Sequence, residues 1–366
     1  MTNVRGRLSV DCVAVTLVPN ETGKPQLEQP HNSRVRVRLV PTGREFEARG
    51  DEPVLSAALR VHLNLPHSCK GGSCGTCRVR VLRGRTAYPH GRPPGISAEE
   101  EADGYALICQ ARALDELEIE IRDIRHVSEV EVRSLPARIE GMRPLAQDVM
   151  GLWLRLPAVE PFTWQCGQYV DIMLAGERRR SFSLANPPRD SALLELHVRR
   201  APGGAFSELV FTTLTEGALL RIEGPLGQFI YRPGGRPLLL IGGGTGYAPL
   251  KAMIRQVLES EARRDVTLFW GVRTAADLYE DAWLSALAAS HPQFRYTSVL
   301  SDQNSGAPHE SGLVHEAVIR KVAGLAGFDI YAAGPPAMID AVRAALPAQG
   351  ADPERIYIDS FDYAPA

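Results

Sequence analysis

The sequence predicts a multidomain chain: a small β-rich unit with one helix, an antiparallel β-barrel, and an α/β unit built on a parallel sheet. Three observations carry this. At 366 residues the chain exceeds what a single hydrophobic core usually organises. Residues 34–39 and 117–121 alternate apolar and polar positions, the pattern of half-buried strands. From Pro237 onward, apolar runs such as Leu238-Leu239-Leu240-Ile241 alternate with helical stretches, as buried parallel strands and their crossover helices do.

Composition narrows the classes. Lys and Arg number 41 against 43 Asp and Glu, a formal net charge of −2, which gives no electrostatic footing for nucleic-acid or membrane partners. No apolar run is long enough to span a bilayer, and the N-terminus lacks the basic-then-apolar layout of a signal peptide. Of six cysteines, four fall into one pattern, while Cys12 and Cys166 stand alone as small hydrophobes. That usage is no disulfide framework and points to a reducing cytoplasm.

The elements follow in order. Residues 1–33 show no periodicity and end in polar Pro30-His31-Asn32, an extension of unassigned role. The first domain, 34–126, opens with strand 34–39, turns at Pro41-Thr42-Gly43 and returns over 45–48. Asp51 precedes a short amphipathic helix over 54–60, and strands at 78–82 and 117–121 follow a glycine-rich cysteine loop. Pro136 marks a linker. The second domain, 133–233, reads as strands at 149–156, 169–174, 181–184 and 194–199 with one helix at 206–214, an antiparallel barrel. In the third, 234–366, strands at 237–241, 266–270, 295–300, 328–332 and 355–358 alternate with helices at 249–263, 282–289, 313–322 and 336–346. That alternation predicts helices on both faces of the sheet.

The cysteine loop carries the sharpest chemical signal. Cys69, Cys74 and Cys77 have C-x4-C-x2-C spacing, and with Cys109 they match the plant-type ligand pattern of a [2Fe–2S] cluster. Gly71, Gly72 and Gly75 let the backbone close tightly around such a group. Zinc also accepts four cysteines, but its sites usually pair two short knuckles, whereas here three ligands crowd one loop and the fourth arrives from afar. Strands around one helix, with the cysteine loop after it, resemble a β-grasp ferredoxin.

Two further tracts suit nucleotide cofactors. Arg180-Ser181-Phe182-Ser183 offers a cation for a pyrophosphate, an aromatic face and a hydroxyl near N5 of a flavin. Gly203, Gly204 and Ser207, at the start of the next helix, suit phosphate binding by backbone amides. Taken alone, such a tract is more often a solvated strand face. Gly242-Gly243-Gly244-Thr245-Gly246-Tyr247 follows a buried strand and opens a helix, the setting of a phosphate cradle, although Tyr247 stands where the dinucleotide fingerprint has its third glycine. Gly334-Pro335-Pro336 lies at the carboxyl end of a later strand, where open parallel sheets bind ligands.

With these motifs in order, the chain resembles the reductase components of multicomponent bacterial oxygenases, in the ferredoxin–NADP reductase superfamily. Residues 180–187 and 197–199 look especially like two branches: reductases of aromatic-ring dioxygenases and CDP-6-deoxyglucoseen reductases of deoxysugar synthesis. The resemblance implies a cluster on Cys69, Cys74, Cys77 and Cys109. It implies FAD on Arg180, Phe182, Ser183, Gly203, Gly204 and Ser207, with Ser183 as the catalytic residue near N5. It implies NADH or NADPH on Gly242–Gly246 (including Thr245), Gly334 and Pro335. Phe361 and Tyr363 resemble the aromatic that covers the flavin, although plain packing explains them equally. Phe182 departs from the family's usual tyrosine, and Ala333 from a frequent cysteine. Arg273, near the end of the second strand, is placed to pair a 2′-phosphate, to face solvent or to lie on the nicotinamide side. The implied activity is electron transfer to a partner protein: an oxygenase component, or a deoxysugar dehydrase, with a non-catalytic redox module as the third reading.

Overall fold

In a computed structural model of the chain, residues 17–19, 25–27, 34–61, 63–121, 132–158, 162–175, 178–190, 193–260, 264–302 and 308–361 are described. Of the expected extension, only Leu17–Pro19 (β1) and Pro25–Leu27 (β2) fall among them, as a short antiparallel pair. Cys12, Tyr363 and residues 261–263 lie outside the described residues; the helix expected to reach residue 263 ends at Leu258, capped at Glu259.

The first unit contains Arg34–Val40 (β3), Glu45–Arg49 (β4), Val54–Arg60 (α1), Arg78–Arg83 (β5), Thr86–Ala87 (β6), Ala98–Ala102 (α2), Tyr105–Leu107 (β7), Arg112–Ala113 (β8) and Leu117–Glu120 (β9). Its sheet runs β4-β3-β9-β5-β7, with β3 and β9 parallel. The alternation does what it predicts: Val35, Val37, Leu39 and Ile119 pack with Val54, Leu55, Ala57 and Ala58 of α1. The N-cap of α1 is Pro53, whose ring fixes φ at −61°. The structure adds α2, whose Ser97–Glu100 capping box supplies orphan amide partners.

Arg133–Ala146 (β10), Val149–Arg155 (β11), Tyr169–Met173 (β12), Arg179–Ser183 (β13), Leu193–Arg199 (β14) and Leu219–Leu226 (β15) form the second unit. All neighbours in its order, β13-β12-β15-β10-β11-β14, are antiparallel, and a bridge between Leu184 and Leu196 closes the barrel. Ala205–Thr212 (α3) packs Phe206 and Val210 into the barrel core. The linker expected at Pro136 is corrected here: Pro136 lies within β10, opposite Arg221. Pairing of β10 with β11 begins only at Arg138, so the proline sits where one side of the strand has no ladder to break.

The third unit holds Leu238–Gly243 (β16), Tyr247–Leu258 (α4), Val266–Val272 (β17), Asp281–Ser290 (α5), Phe294–Leu300 (β18), Glu310–Ser311 (β19), Val314–Lys321 (α6), Asp329–Gly334 (β20), Pro336–Ala348 (α7) and Ile356–Ser360 (β21). Its order is β19-β18-β17-β16-β20-β21, all parallel. Leu238, Leu240, Leu268 and Trp270 pack towards α4 and α5, whereas Leu239, Ile241, Phe269 and Ile330 pack towards α6 and α7. Strand β16 runs on through Gly242 and Gly243, so the turn proper is Gly244–Gly246. Among the described residues, no helix is long and apolar enough to cross a membrane.

Candidate active site

The cysteine loop leaves α1 and enters β5. Amides of Val54 and Leu55 donate to Ala111 and Ile108, and Ile108 donates to Cys77, which fixes the Cys109 segment against the loop. Gly72 has φ +81°, and a methyl group there would stand 2.6 Å from Pro93 Cβ. The thiols face one another in two pairs, Cys69 with Cys74 and Cys77 with Cys109. One zinc ion, with Zn–S near 2.3 Å, would bring all four sulfurs to within about 3.8 Å of each other. Among the described residues, no three cysteines approach within 4.8 Å; the single such group is Glu195, His197 and Glu280. Two pairs fit two irons with two thiolates each. The Cys74 amide and the Ser73 hydroxyl point at Cys69 Sγ, each at 3.4 Å.

A cavity of 1570 Å³ opens where the three units meet. Its walls include Ser68, Cys69 and Cys109 from the first unit, Arg180, Phe182 and Ser183 from the second, and Thr245 and Phe361 from the third. Gly204 and Ser207 also line it; Gly203, Gly242, Gly243, Gly244, Gly246, Gly334 and Pro335 do not. The glycines behind the wall answer to packing. A methyl group on Gly246 would lie 2.0 Å from the Ala333 carbonyl oxygen, and one on Gly243 would lie 2.6 Å from Met338 Sδ. Ser207 Oγ accepts from the Ala201 amide at 3.1 Å and contacts the carbonyls of Ala201 and Gly204, locking the turn that Gly203 (φ +71°) makes before α3. The Phe182 ring leans on Phe206, with centroids 5.2 Å apart. The Phe361 amide donates to Gly334 at 2.9 Å, bringing the end of the described chain to the strand end that precedes α7.

Several contacts that no sequence motif marked hold the cavity together. Lys70 Nζ donates to Asp171 Oδ2 at 2.8 Å, and Ser181 donates to Asp171 Oδ1 at 2.6 Å. Asp359, on β21, accepts from Ser68 beside the first cysteine and, at 3.5 Å, from Ser183. Burial above all, with the neighbouring Cys69, pushes the Asp359 carboxyl up to about 7 against those hydrogen bonds. His67 bridges the Leu65 carbonyl (2.7 Å) and the Tyr169 hydroxyl (3.0 Å); burial, then Lys70, lowers it to about 4.

A second network joins barrel to α/β unit beside the cavity. Lys251 Nζ, on α4, donates to Glu195 at 2.8 Å and to Glu280 at 2.6 Å. Glu280 also accepts from Tyr247 at 2.8 Å, and Glu195 from His197 Nε2 at 3.1 Å. Burial opposes ionisation of Glu195, but His197 and Lys251 outweigh it and hold its carboxyl at about 2. The Lys251 ammonium thus already fills the cation position between the two carboxylates. Tyr247 stacks on Trp270 at 4.4 Å, and Trp270 Nε1 donates to Gly244, so the network reaches the glycine turn.

Family models match in the same order along the chain: a 2Fe-2S iron-sulfur cluster binding domain over 37–114, an oxidoreductase FAD-binding domain over 136–231 and an oxidoreductase NAD-binding domain over 240–344. The chain is 37% identical to the reductase subunit of an aromatic O-demethylase from Amycolatopsis sp., covering 87% of this chain and 96% of that protein. It is 32% identical to the CDP-6-deoxy-L-threo-D-glycero-4-hexulose-3-dehydrase reductase of Yersinia pestis, over 89% and 98% of the two chains. The crystal structure of an Amycolatopsis cytochrome P450 reductase superposes with a TM-score of 0.76 at 36% identity, covering 89% of this chain and 98% of that one. The ferredoxin reductase of a carbazole 1,9a-dioxygenase gives 0.69 at 27% identity, over 91% and 100%. Paired thiols, a closed barrel and a parallel sheet around one cavity agree with these matches: the chain belongs to the three-domain NAD(P)H reductases that combine a [2Fe–2S] ferredoxin domain with FAD- and NAD-binding domains, the oxygenase and dehydrase reductase components.

Proposed function

We propose that the chain takes electrons from NADH or NADPH and delivers them, by way of FAD and the [2Fe–2S] cluster, to the oxygenase component of a bacterial oxygenase system in the cytoplasm. The observation that carries this reading is the single cavity walled by Cys69 and Cys109, by Arg180, Phe182 and Ser183, and by Thr245 and Phe361. Flavin accepts electrons in pairs and releases them singly, which matches a two-electron donor to a one-electron centre.

The residues fit these groups. Arg180 supplies a guanidinium for a pyrophosphate, and the first amides of α3, without intrahelical acceptors, supply further donors beside Gly204. Phe182, propped by Phe206, gives an apolar face. The Ser183 hydroxyl offers a hydrogen bond near N5, with Asp359 behind it as a second polar group. Thr245, on the glycine turn, and Phe361, at the end of the described chain, line the same cavity from the third unit. Gly242, Gly243, Gly244, Gly246, Gly334 and Pro335 act by shaping that turn and the strand end behind it.

A second acceptor, a CDP-deoxyhexulose dehydrase, is favoured by the Yersinia pestis relative, which this chain matches over 98% of its length. The two readings share every internal step. Replacing Cys74 with Ser tests the order of transfer: reduction of a protein acceptor is lost, while NAD(P)H-driven ferricyanide reduction persists. Loss of both activities with FAD still bound defeats the proposal. Reconstitution with an oxygenase or with a dehydrase then separates the acceptors, and an active nicotinamide oxidase excludes a non-catalytic module.

A further inference from the structure

Helix α7 starts at the cavity and ends its reach on the cysteine loop. Pro336 and Asp340 line the cavity, and three residues further on Arg343 crosses to the first unit, where its Nη2 donates to the Cys74 carbonyl. A methyl group built on Gly75 would stand 3.1 Å from Nη2 and 3.5 Å from Nη1, so both nitrogens overlie the turn between Cys74 and Cys77. The Cys74 side chain is 1% exposed and shares an apolar cluster with Ile339, Val342 and Leu346 of α7. Among the described residues, no carboxylate pairs with Arg343. Its charge is therefore not cancelled locally by a carboxylate.

We propose that Arg343 raises the reduction potential of the cluster held by Cys69, Cys74, Cys77 and Cys109, so that docking against α7 makes the cluster easier to reduce. The inference rests on the cluster assignment above and concerns a residue of the neighbouring domain. Reduction adds one electron to the cluster with no bond made or broken. A fixed positive charge at the loop stabilises that added negative charge, and hydrogen bonding and charge near the sulfurs are the levers on such potentials. Solvent reaches Arg343, which moderates the effect without reversing its sign.

The test is an anaerobic dithionite titration of the full-length holoprotein with redox mediators, read by the electron-paramagnetic signal of the reduced cluster. Arg343→Gln, which keeps a donor but loses the charge, shifts the one-electron equilibrium about fivefold towards the oxidised cluster, about 40 mV at 59 mV per tenfold. Arg343→Lys stays within twofold of the parent. Ser360→Ala, which removes only the uncharged contact of Ser360 with Ser73 on the same loop, leaves the potential in place. A Gln variant that titrates with the parent, or a Ser360→Ala shift as large, overturns the proposal. If the Gln variant does not hold its cluster, Arg343→Met carries the test: its potential falls below the parent's by the same fivefold shift, and a potential equal to the parent's overturns the idea. A parent protein with no cluster signal would instead defeat the cluster assignment itself.

Discussion

Lys70 and Asp171 form an ion pair, 2.8 Å from Nζ to Oδ2, that fastens the cysteine loop to barrel strand β12. The Asp171 side chain is only 1% exposed, so the pair cannot be treated as a surface contact. Ser181 satisfies the other carboxylate oxygen, and Lys70 also lies 5.2 Å from the Tyr169 ring centre. Removing one partner leaves a buried charge short of its counter-ion, which is worse than removing both. Lys70→Met should therefore destabilise the protein by about 3 kcal/mol, and Lys70→Met with Asp171→Asn by clearly less. A double-mutant cycle on denaturant unfolding reads the coupling, expected at about 1–2 kcal/mol. Strict additivity would mean that the pair does not fasten the two units.

The glycine turn separates two kinds of glycine. A methyl group on Gly246 meets the Ala333 carbonyl at 2.0 Å, which is backbone and cannot swing aside. On Gly244 it meets Arg199 Nη1 at 2.8 Å, the far end of a side chain that ion-pairs with Asp148 and Asp277, and φ there is +54°. Gly246→Ala should cost about 3 kcal/mol by overpacking and should raise the KM for the nicotinamide nucleotide with FAD content unchanged. Gly244→Ala should cost about 1 kcal/mol, the left-handed penalty. Thermal melts and steady-state kinetics of the two variants, side by side, check the order.

Such contrasts show what was legible in the chain and what was not. The thiol spacing, the alternating strands and the apolar β16 run are local patterns, and local patterns survive in one dimension. The β10 strand was hidden because Pro136 reads as a breaker until the missing β11 partner at that level is seen. The clasp around the cavity is hidden for a different reason. Ser68 and Asp359 are 291 positions apart, Cys74 and Arg343 269, and Lys70 and Asp171 101. No periodicity links residues so distant; only the closed barrel and the sheet order bring them together. The phosphate-cradle reading of the glycines needed the same information, since most of them face protein and Thr245 faces the cavity.

Glu195 gives the chain a predictable acid limit. Burial works against its charge, but His197 and Lys251 hold its carboxyl at about 2, below the ordinary 4.5. The unfolded chain therefore binds a proton at Glu195 before the folded chain does as pH falls. Stability from this group is complete above about pH 4.5 and is lost as pH drops from there towards 2. Because Lys251 and Glu280 sit on the α/β unit and Glu195 on the barrel, the loss is felt at their joint. Glu195→Gln should be less stable than the parent at pH 7, by roughly 3–5 kcal/mol, as expected for breaking a buried pair. It should also show a flatter stability curve between pH 4.5 and 2.5. Urea unfolding at a series of pH values measures both, and parallel curves for the two proteins would show that Lys251 is not held by Glu195.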